Sequence, residues 1–228
     1  MVQPPLEKFK EKFHKSQLNL NNRESGHYRY AINSEYIKEE KDFPSVKCFN
    51  SALDFLKINK DADDWFLQLE TFDPHEPFFA PQRFREKFKT NYRGPRLDWP
   101  QYDKVKETDD EVAELKANYY ALIGLCDYLL GKILDYFDEQ NLWDNTALIL
   151  TTDHGFMLGE HDWWAKNRMP MYNEIAHIPL FIYHPEYKQY VGESRSAVTQ
   201  NIDLMPTFLD MNNLHIPKEV KGKSLLDL

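Results

Sequence analysis

Val112, Leu115, Tyr119, Leu122, Cys126, Leu129, Ile133 and Phe137 recur at intervals of three and four residues. That period lays one apolar stripe along a single helix, which starts near Asp109 or Asp110 and needs another layer to cover it. A turn over Asn141 to Asn145 follows, then a strand from Thr146 to Thr151 built on Ala147-Leu-Ile-Leu150, and Ile178-Pro-Leu-Phe-Ile-Tyr183 supplies another. A long amphipathic helix feeding apolar runs of strand length predicts an α/β fold in which the helix covers a largely buried sheet.

The remainder of the chain extends this pattern. Phe49, Leu53 and Leu56 predict a helix over Cys48 to Lys57, and Asp64-Trp-Phe-Leu-Gln-Leu-Glu70 reads as a short strand. Three prolines in Thr71-Phe-Asp-Pro-His-Glu-Pro-Phe-Phe-Ala-Pro81 block helix and central strand alike, leaving a rigid loop. Residues from Glu86 to Thr108 are polar, contain Pro95 and Pro100, and read as a surface excursion. Asn201 to Asn213 reads as a further helix with Pro206 in its first turn. Residues 1–44 are polar with scattered aromatics and no sustained period, and are expected to form an irregular arm.

Composition removes several classes of function. A formal net charge of −9 disfavours a binder of nucleic-acid backbone, which needs a surplus of Lys and Arg on one face. A mean hydropathy of −0.68 and the lack of any long apolar run argue against a membrane span. Any anion site must therefore be a local arrangement of cations or metal. Cys48 and Cys126 lack C-x-x-C spacing and read as two reduced, buried thiols.

The stretch TTDHGFMLGEHDWWAK, Thr151 to Lys166, sets acids, histidines and a lysine directly after a strand, where α/β folds place ligands. Asp153 and His154 supply an oxygen and an imidazole that together suit a divalent cation such as Ca²⁺, Mg²⁺ or Mn²⁺, and Gly155 allows a sharp turn. The same residues also suit a capped turn, with Asp153 as the cap and His154 exposed. Two ligands do not complete a six-coordinate site. Lys166, on a segment with Trp163 and Trp164, suits a clamp on an anionic oxygen or a proton donor to a leaving group, or else a solvated surface lysine. His75, between Pro74 and Glu76-Pro77, is a hydrogen-bond donor on a rigid loop or a simple turn histidine.

Taken in order, Asp73-Pro-His-Glu-Pro-Phe78, Asp153-His-Gly through Lys166, Tyr172-Asn-Glu-Ile-Ala-His-Ile-Pro-Leu-Phe-Ile182, and Asn201-Ile-Asp-Leu-Met-Pro-Thr-Phe-Leu-Asp210 followed by Gly222-Lys-Ser-Leu225 resemble the sulfatases of the alkaline phosphatase superfamily. The Asp-His pair with Gly-Glu-His and a nearby Lys is most similar to iduronate-2-sulfatase-type enzymes and the related phosphonate monoester hydrolases. The resemblance implies a sulfatase/alkaline-phosphatase-like sheet with helices on both faces and hydrolysis of a sulfate ester, a sulfated sugar among the candidates. It implies Asp153 and His154 as ligands of a divalent metal, Ca²⁺ first and Mg²⁺ or Mn²⁺ as alternatives. Lys166 would hold the sulfate and assist the leaving oxygen, His75 would bind the same ester oxygen, and His161 and Glu174 would give outer support.

The family's nucleophile stands in C/S-x-P-x-R, yet Cys48 precedes Phe-Asn-Ser, Cys126 precedes Asp-Tyr-Leu, and no Ser occupies that motif. The family's N-terminal aspartate pair has no counterpart before Ser51. The expectation is therefore a C-terminal portion of a sulfatase, with residues 1–44 as an arm and 45–228 as part of the catalytic domain, nearly inactive alone and partnered by a missing N-terminal portion. Met1-Val-Gln-Pro-Pro-Leu-Glu-Lys8 shows no signal peptide, but a fuller N-terminus could carry one, so localisation stays open. A phosphate or phosphonate monoester hydrolase, and a catalytically dead binding module, are the competing readings.

Overall fold

The computed structural model describes residues 7–17 and 25–226. Its helices are α1 (Glu7–Lys10), α2 (Gly26–Asn33), α3 (Pro44–Ile58), α4 (Gln82–Arg85), α5 (Asp109–Gln140), α6 (Asn173–Ala176) and α7 (Leu204–Met211). Its strands are β1 (Leu148–Thr151), β2 (Met157–Leu158), β3 (Trp164–Ala165) and β4 (Leu180–Tyr183), which makes the chain α/β as expected. Contacts divide it into one unit running to Leu142 and including Gly155–His177, and a second made of Trp143–His154 and the residues from Ile178 onward.

Helix α5 organises the first unit. Thr108 caps it, with its hydroxyl accepting from Glu111 N–H and the Glu111 carboxylate accepting from Thr108 N–H, and Asn141 ends it in the left-handed region at φ 55°. Leu115, Ala121, Leu122 and Leu125 are fully buried, and each such leucine contributes about 1.5–3 kcal/mol on leaving water. They pack with Phe78, Phe84, Leu97, Leu158 and Trp164 in one core. The expected stripe is rotated slightly: Leu115, Leu122, Leu129, Ile133 and Phe137 are buried, whereas Tyr119 and Cys126 are half-buried at its border and Ala121 and Leu125 lie at its centre. Within this unit the helix packs on α3 and α4 as well as on the small β2–β3 pair, so its cover is largely helical where a sheet was expected.

Other expectations are corrected in the same unit. Helix α3 begins at Pro44, earlier than Cys48, because proline at the first helical position costs no hydrogen bond. Residues 65–70 alternate in burial, with Trp65, Leu67 and Leu69 half-buried and Phe66, Gln68 and Glu70 exposed, yet they join no ladder among the described residues. The excursion from Glu86 to Thr108 is not wholly superficial. Leu97 and Asp98 are each 1% exposed, and Asp98 is satisfied by Gln17 Nε2 at 2.8 Å and Tyr30 Oη at 2.5 Å. Of the expected arm, residues 1–6 and 18–24 lie outside the described residues. The rest is less irregular than its composition suggests. Residues 26–33 form α2, capped by Ser25, and Phe9, Phe13, Tyr28 and Ala31 make their own buried cluster. His14 N–H donates to Arg96 O at 2.8 Å and Arg96 N–H to Lys12 O at 3.0 Å, which fastens this segment to the 96–98 loop.

In the second unit β1 and β4 pair antiparallel, from Leu148 opposite Tyr183 to Thr151 opposite Leu180. The expected burial of this sheet is not reached: Phe181 and Ile182 are 63% and 41% exposed, because a two-stranded sheet leaves each strand one edge and part of its faces uncovered. Helix α7 follows a 3₁₀ turn at Asn201–Asp203, and Pro206 sits in its first turn as expected. A Cβ at Gly222 would fall 2.0 Å from Ile202 O, so glycine alone lets this segment press onto the helix start, where Lys223 N–H donates to Asp203 Oδ1 at 2.9 Å.

Candidate active site

Lys166 is presented by a loop under backbone strain. Gly159, His161, Asp162, Ala165 and Asn167 all have positive φ, at 99°, 52°, 64°, 69° and 72°. Asn and Asp tolerate this region through local hydrogen bonding, but Ala165 has no such help, and a left-handed alanine costs about 1–2 kcal/mol. The surroundings enforce it. Trp164, fully buried, donates from Nε1 to Glu107 Oε2 at 2.7 Å and from its backbone N–H to Asp103 O at 3.0 Å. Trp163 receives Lys104 over its ring at 4.4 Å, so both tryptophans anchor the loop. Lys166 is itself 8% exposed.

The proline-rich loop delivers the partner. Lys166 Nζ lies 2.8 Å from His75 Nε2, joining residues 91 apart in sequence. His75 Nδ1 lies 2.8 Å from Glu76 O, so a proton on Nδ1 leaves the Nε2 lone pair facing the ammonium. The His75 ring also lies on Phe72 with centroids 4.2 Å apart. Glu76, 2% exposed, places a carboxylate oxygen 3.2 Å from His75 Nδ1 and accepts from Tyr102 Oη on its other oxygen. Ser45 Oγ donates to Asp73 Oδ2, while burial raises the Asp73 pKa above the ordinary carboxylate range. Sequence reasoning missed Glu76 and Tyr102. Glu76 was within reach, as an acid beside a histidine on a stiff loop; Tyr102 carries no local signal.

His161 and Glu174 form a second pair in this unit, with Nε2 and Oε1 3.3 Å apart and the imidazole stacked on Tyr172 at 4.0 Å and 11°. Gly155 docks nearby: its N–H donates to Ile175 O at 2.8 Å, and a Cβ there would lie 1.8 Å from Glu174 O. The glycine is required by this close approach of two backbones.

The third pair belongs to the second unit. Asp153, 79% exposed, and His154 follow β1, with His154 Nε2 3.4 Å from Asp153 Oδ2. Two neighbouring ligands at right angles, each about 2.3–2.6 Å from one hard cation, stand about 3.3–3.7 Å apart, so this donor set fits a shared divalent ion. Asp153 Oδ1 also accepts from His154 N–H at 2.9 Å, a contact with the adjacent residue and not the cap of a following segment offered as the alternative, and His154 is half-buried, not exposed. Asn201 Nδ2 braces the segment through Thr152 O and Asp153 O at 3.3 and 3.1 Å. Among the described residues no set of three or more His, Cys, Asp or Glu side chains is arranged to hold a metal.

The α/β architecture matches the sulfatase and alkaline-phosphatase-like fold. The chain belongs to the sulfatase family, whose family model matches residues 8–214. It is 30% identical over 206 residues to an arylsulfatase of Clostridium perfringens, covering 83% of this chain and 42% of that protein. Arylsulfatase K of Xenopus laevis is 36% identical over 121 residues, 53% of this chain and 22% of that protein. Among solved structures, a phosphonate monoester hydrolase from Silicibacter pomeroyi superposes with a TM-score of 0.67 at 27% identity, covering 82% of this chain and 41% of that one. The chain thus spans less than half the length of these relatives.

Proposed function

We propose that this chain forms the C-terminal part of a metal-dependent sulfatase catalytic domain, with the nucleophile and the remaining metal ligands supplied by polypeptide outside it. The observation that carries the reading is the 2.8 Å approach of Lys166 to His75, a buried lysine facing an imidazole whose other nitrogen lies 2.8 Å from the Glu76 carbonyl oxygen. In a partly desolvated site such donors attract an anionic ester far more strongly than they would in water. Lys166 holds a non-bridging oxygen of the sulfate and gives a proton to the leaving oxygen, and His75 binds the same ester oxygen. Asp153 and His154 hold a divalent cation, Ca²⁺ first, with Mg²⁺ and Mn²⁺ as alternatives; when bound it supplies positive charge against the ester. His161 and Glu174 support the loop. The Asp153-His154 pair with Gly159-Glu160-His161 is the ground for placing the chain nearest the iduronate-2-sulfatase-type enzymes, with a sulfated sugar as substrate class.

A second reading, hydrolysis of phosphonate monoesters, is favoured by the similarity to the Silicibacter pomeroyi enzyme, and both anions are tetrahedral. The test compares turnover of 4-nitrophenyl sulfate and a phenyl phosphonate ester by this chain alone and by the chain joined to polypeptide completing the family's length. The joined protein should favour the sulfate, and Lys166→Ala and His75→Ala should each lower kcat by about 100-fold or more. Preference for the phosphonate ester selects the second reading, and turnover indifferent to both substitutions rejects the site. The chain alone should be nearly inactive. Turnover by it at the joined protein's rate would refute the division of the site. A joined protein that turns over neither ester would point to a binding module.

A further inference from the structure

Helix α4, the loop after it and the first part of α5 border two adjoining open clefts of about 320 and 280 Å³, which share Arg85, Tyr92, Glu114 and Asn118. Neither His75 nor Lys166 lines them. Lys89 and Arg93 join the larger cleft and Arg96 the smaller, so cations outnumber carboxylates in a chain whose formal net charge is −9. Both carboxylates are already engaged. Glu114 accepts from Thr90 Oγ1 and from Asn118 Nδ2 at 3.1 Å, and Asp98 accepts from Gln17 and Tyr30 and faces Arg96 at 3.9 Å.

The arginines are differently placed. Arg93 Nη1 donates to the carbonyls of Thr90 and Tyr92 at 3.1 and 2.9 Å, which fixes the plane of its guanidinium. The Arg85 guanidinium lies over Phe79 at 5.6 Å, and no ion pair joins it to a carboxylate among the described residues. Partial desolvation, and then the neighbouring Arg96 charge, hold its pKa below the usual guanidinium range. Arg85 is exposed, so an incoming anion reaches it and offsets the Arg96 repulsion, and a planar guanidinium matches carboxylate and sulfate oxygens two at a time. An apolar ledge borders these cations. Phe88 lines the larger cleft and is 37% exposed, with its ring 5.9 Å from that of Tyr120, itself 44% exposed. Exposed rings next to fixed guanidiniums suit a ligand with one flat, weakly polar face and one negative group.

We propose that these clefts bind an anionic saccharide unit, a sugar ring bearing a carboxylate or a sulfate, with Arg85 and Arg93 on the charged group and Phe88 on the ring. This goes beyond the hydrolytic reading and does not require it. The test is calorimetric titration of the whole chain with a sulfated, uronate-containing disaccharide, its uncharged parent and inorganic sulfate. The disaccharide should bind saturably, the parent should not, and Arg85→Gln and Arg93→Gln should each weaken binding about tenfold, the loss of one charge-assisted hydrogen bond. Phe88→Ala should weaken the disaccharide and leave inorganic sulfate unchanged. Lys89→Glu, on an exposed side chain, gives the same direction of change should an arginine variant fold poorly. Equal binding by parent chain and arginine variants, equal binding of the uncharged disaccharide, or loss on Lys166→Ala with no loss on Arg85→Gln would each overturn the assignment.

Discussion

Replacing Gly155 by alanine should destabilise the first unit through a backbone clash that no side chain can relieve. The added Cβ would sit 1.8 Å from Glu174 O, 2.9 Å from Glu174 C and 3.1 Å from Ile175 Cα. Ordinary contact requires more than 3 Å, so the two backbones must part by roughly 1 Å or more. The α6 side cannot simply yield: Ile175 is 7% exposed, and Ile175, Ala176 and His177 donate to Tyr172 and Asn173 carbonyls at 2.8–3.1 Å. Retreat of the other side breaks the 2.8 Å bond from Gly155 N–H to Ile175 O. The lost hydrogen bond costs about 1 kcal/mol and the overpacking about 1–3 kcal/mol, together about 2–4 kcal/mol.

Gly131 provides the opposite sign in the same unit. It lies inside α5, and a Cβ there meets nothing within 4 Å. Gly131→Ala should stabilise by about 0.5–1 kcal/mol, since alanine loses less conformational freedom in a helix. Thermal melts followed by circular dichroism should place the two variants on opposite sides of the parent, with Gly155→Ala lower by roughly 5–15 °C. A Gly155→Ala protein within about 0.5 kcal/mol of the parent would refute the close-approach argument, because that is the range of a surface substitution.

Burial, aided by the Asp73 charge, pushes the Cys126 thiol up to about 12, so peptide mapping after iodoacetamide at pH 8 should find it unlabelled in the folded chain; rapid stoichiometric labelling would contradict this. Hydrogen bonds from Lys12 and then Lys8 bring Glu35 down to about 2, a depressed carboxylate whose stabilisation is present above its unfolded pKa and lost as pH falls through the folded one. Glu35→Gln should therefore lower the urea midpoint near pH 7 by a small amount, no more than about 1 kcal/mol for a partly exposed pair, and the gap should close between about pH 5 and pH 2. A gap that is constant over that interval would rule out the ion pair as its cause. Tyr30→Phe leaves the buried Asp98 carboxylate with one donor fewer and should cost about 1–3 kcal/mol in denaturant melts, whereas a neutral result would mean that water replaces the phenol.

How far the sequence discloses this molecule depends on whether each feature is local. Helix α5 is legible because its period, its Thr108–Glu111 box and the left-handed Asn141 are all local, and only the exact centre of the buried face was displaced by reading Tyr119 and Cys126 as core. The segment 65–70 shows the limit of pattern: the alternation is realised in its burial, but a ladder needs a second strand that no local period can supply. The 91-residue join of His75 to Lys166 became visible only through the order of motifs along the chain. Tyr102 stayed hidden because a tyrosine in a polar loop says nothing about an acid 26 residues upstream. Nor does any local rule foresee a left-handed alanine at position 165.

That alanine bears on function. A residue held in an unfavourable region persists only where its surroundings determine it more strongly than its own preference, and such residues gather where geometry is used. Here the determining forces are the full burial of Trp164 and its bonds to Glu107 and Asp103, which outweigh a cost of about 1–2 kcal/mol at Ala165. The loop bearing His75 is stiff for a different reason, with prolines on both sides and Glu76 held by Tyr102. Two segments that cannot relax thus meet at the 2.8 Å contact between Lys166 and His75. A structural ion-binding surface would tolerate a flexible lysine. On the proposed reading, a pair fixed from both sides suits charge stabilisation of a reacting ester, because donors already in place need no reorganisation when the charge develops.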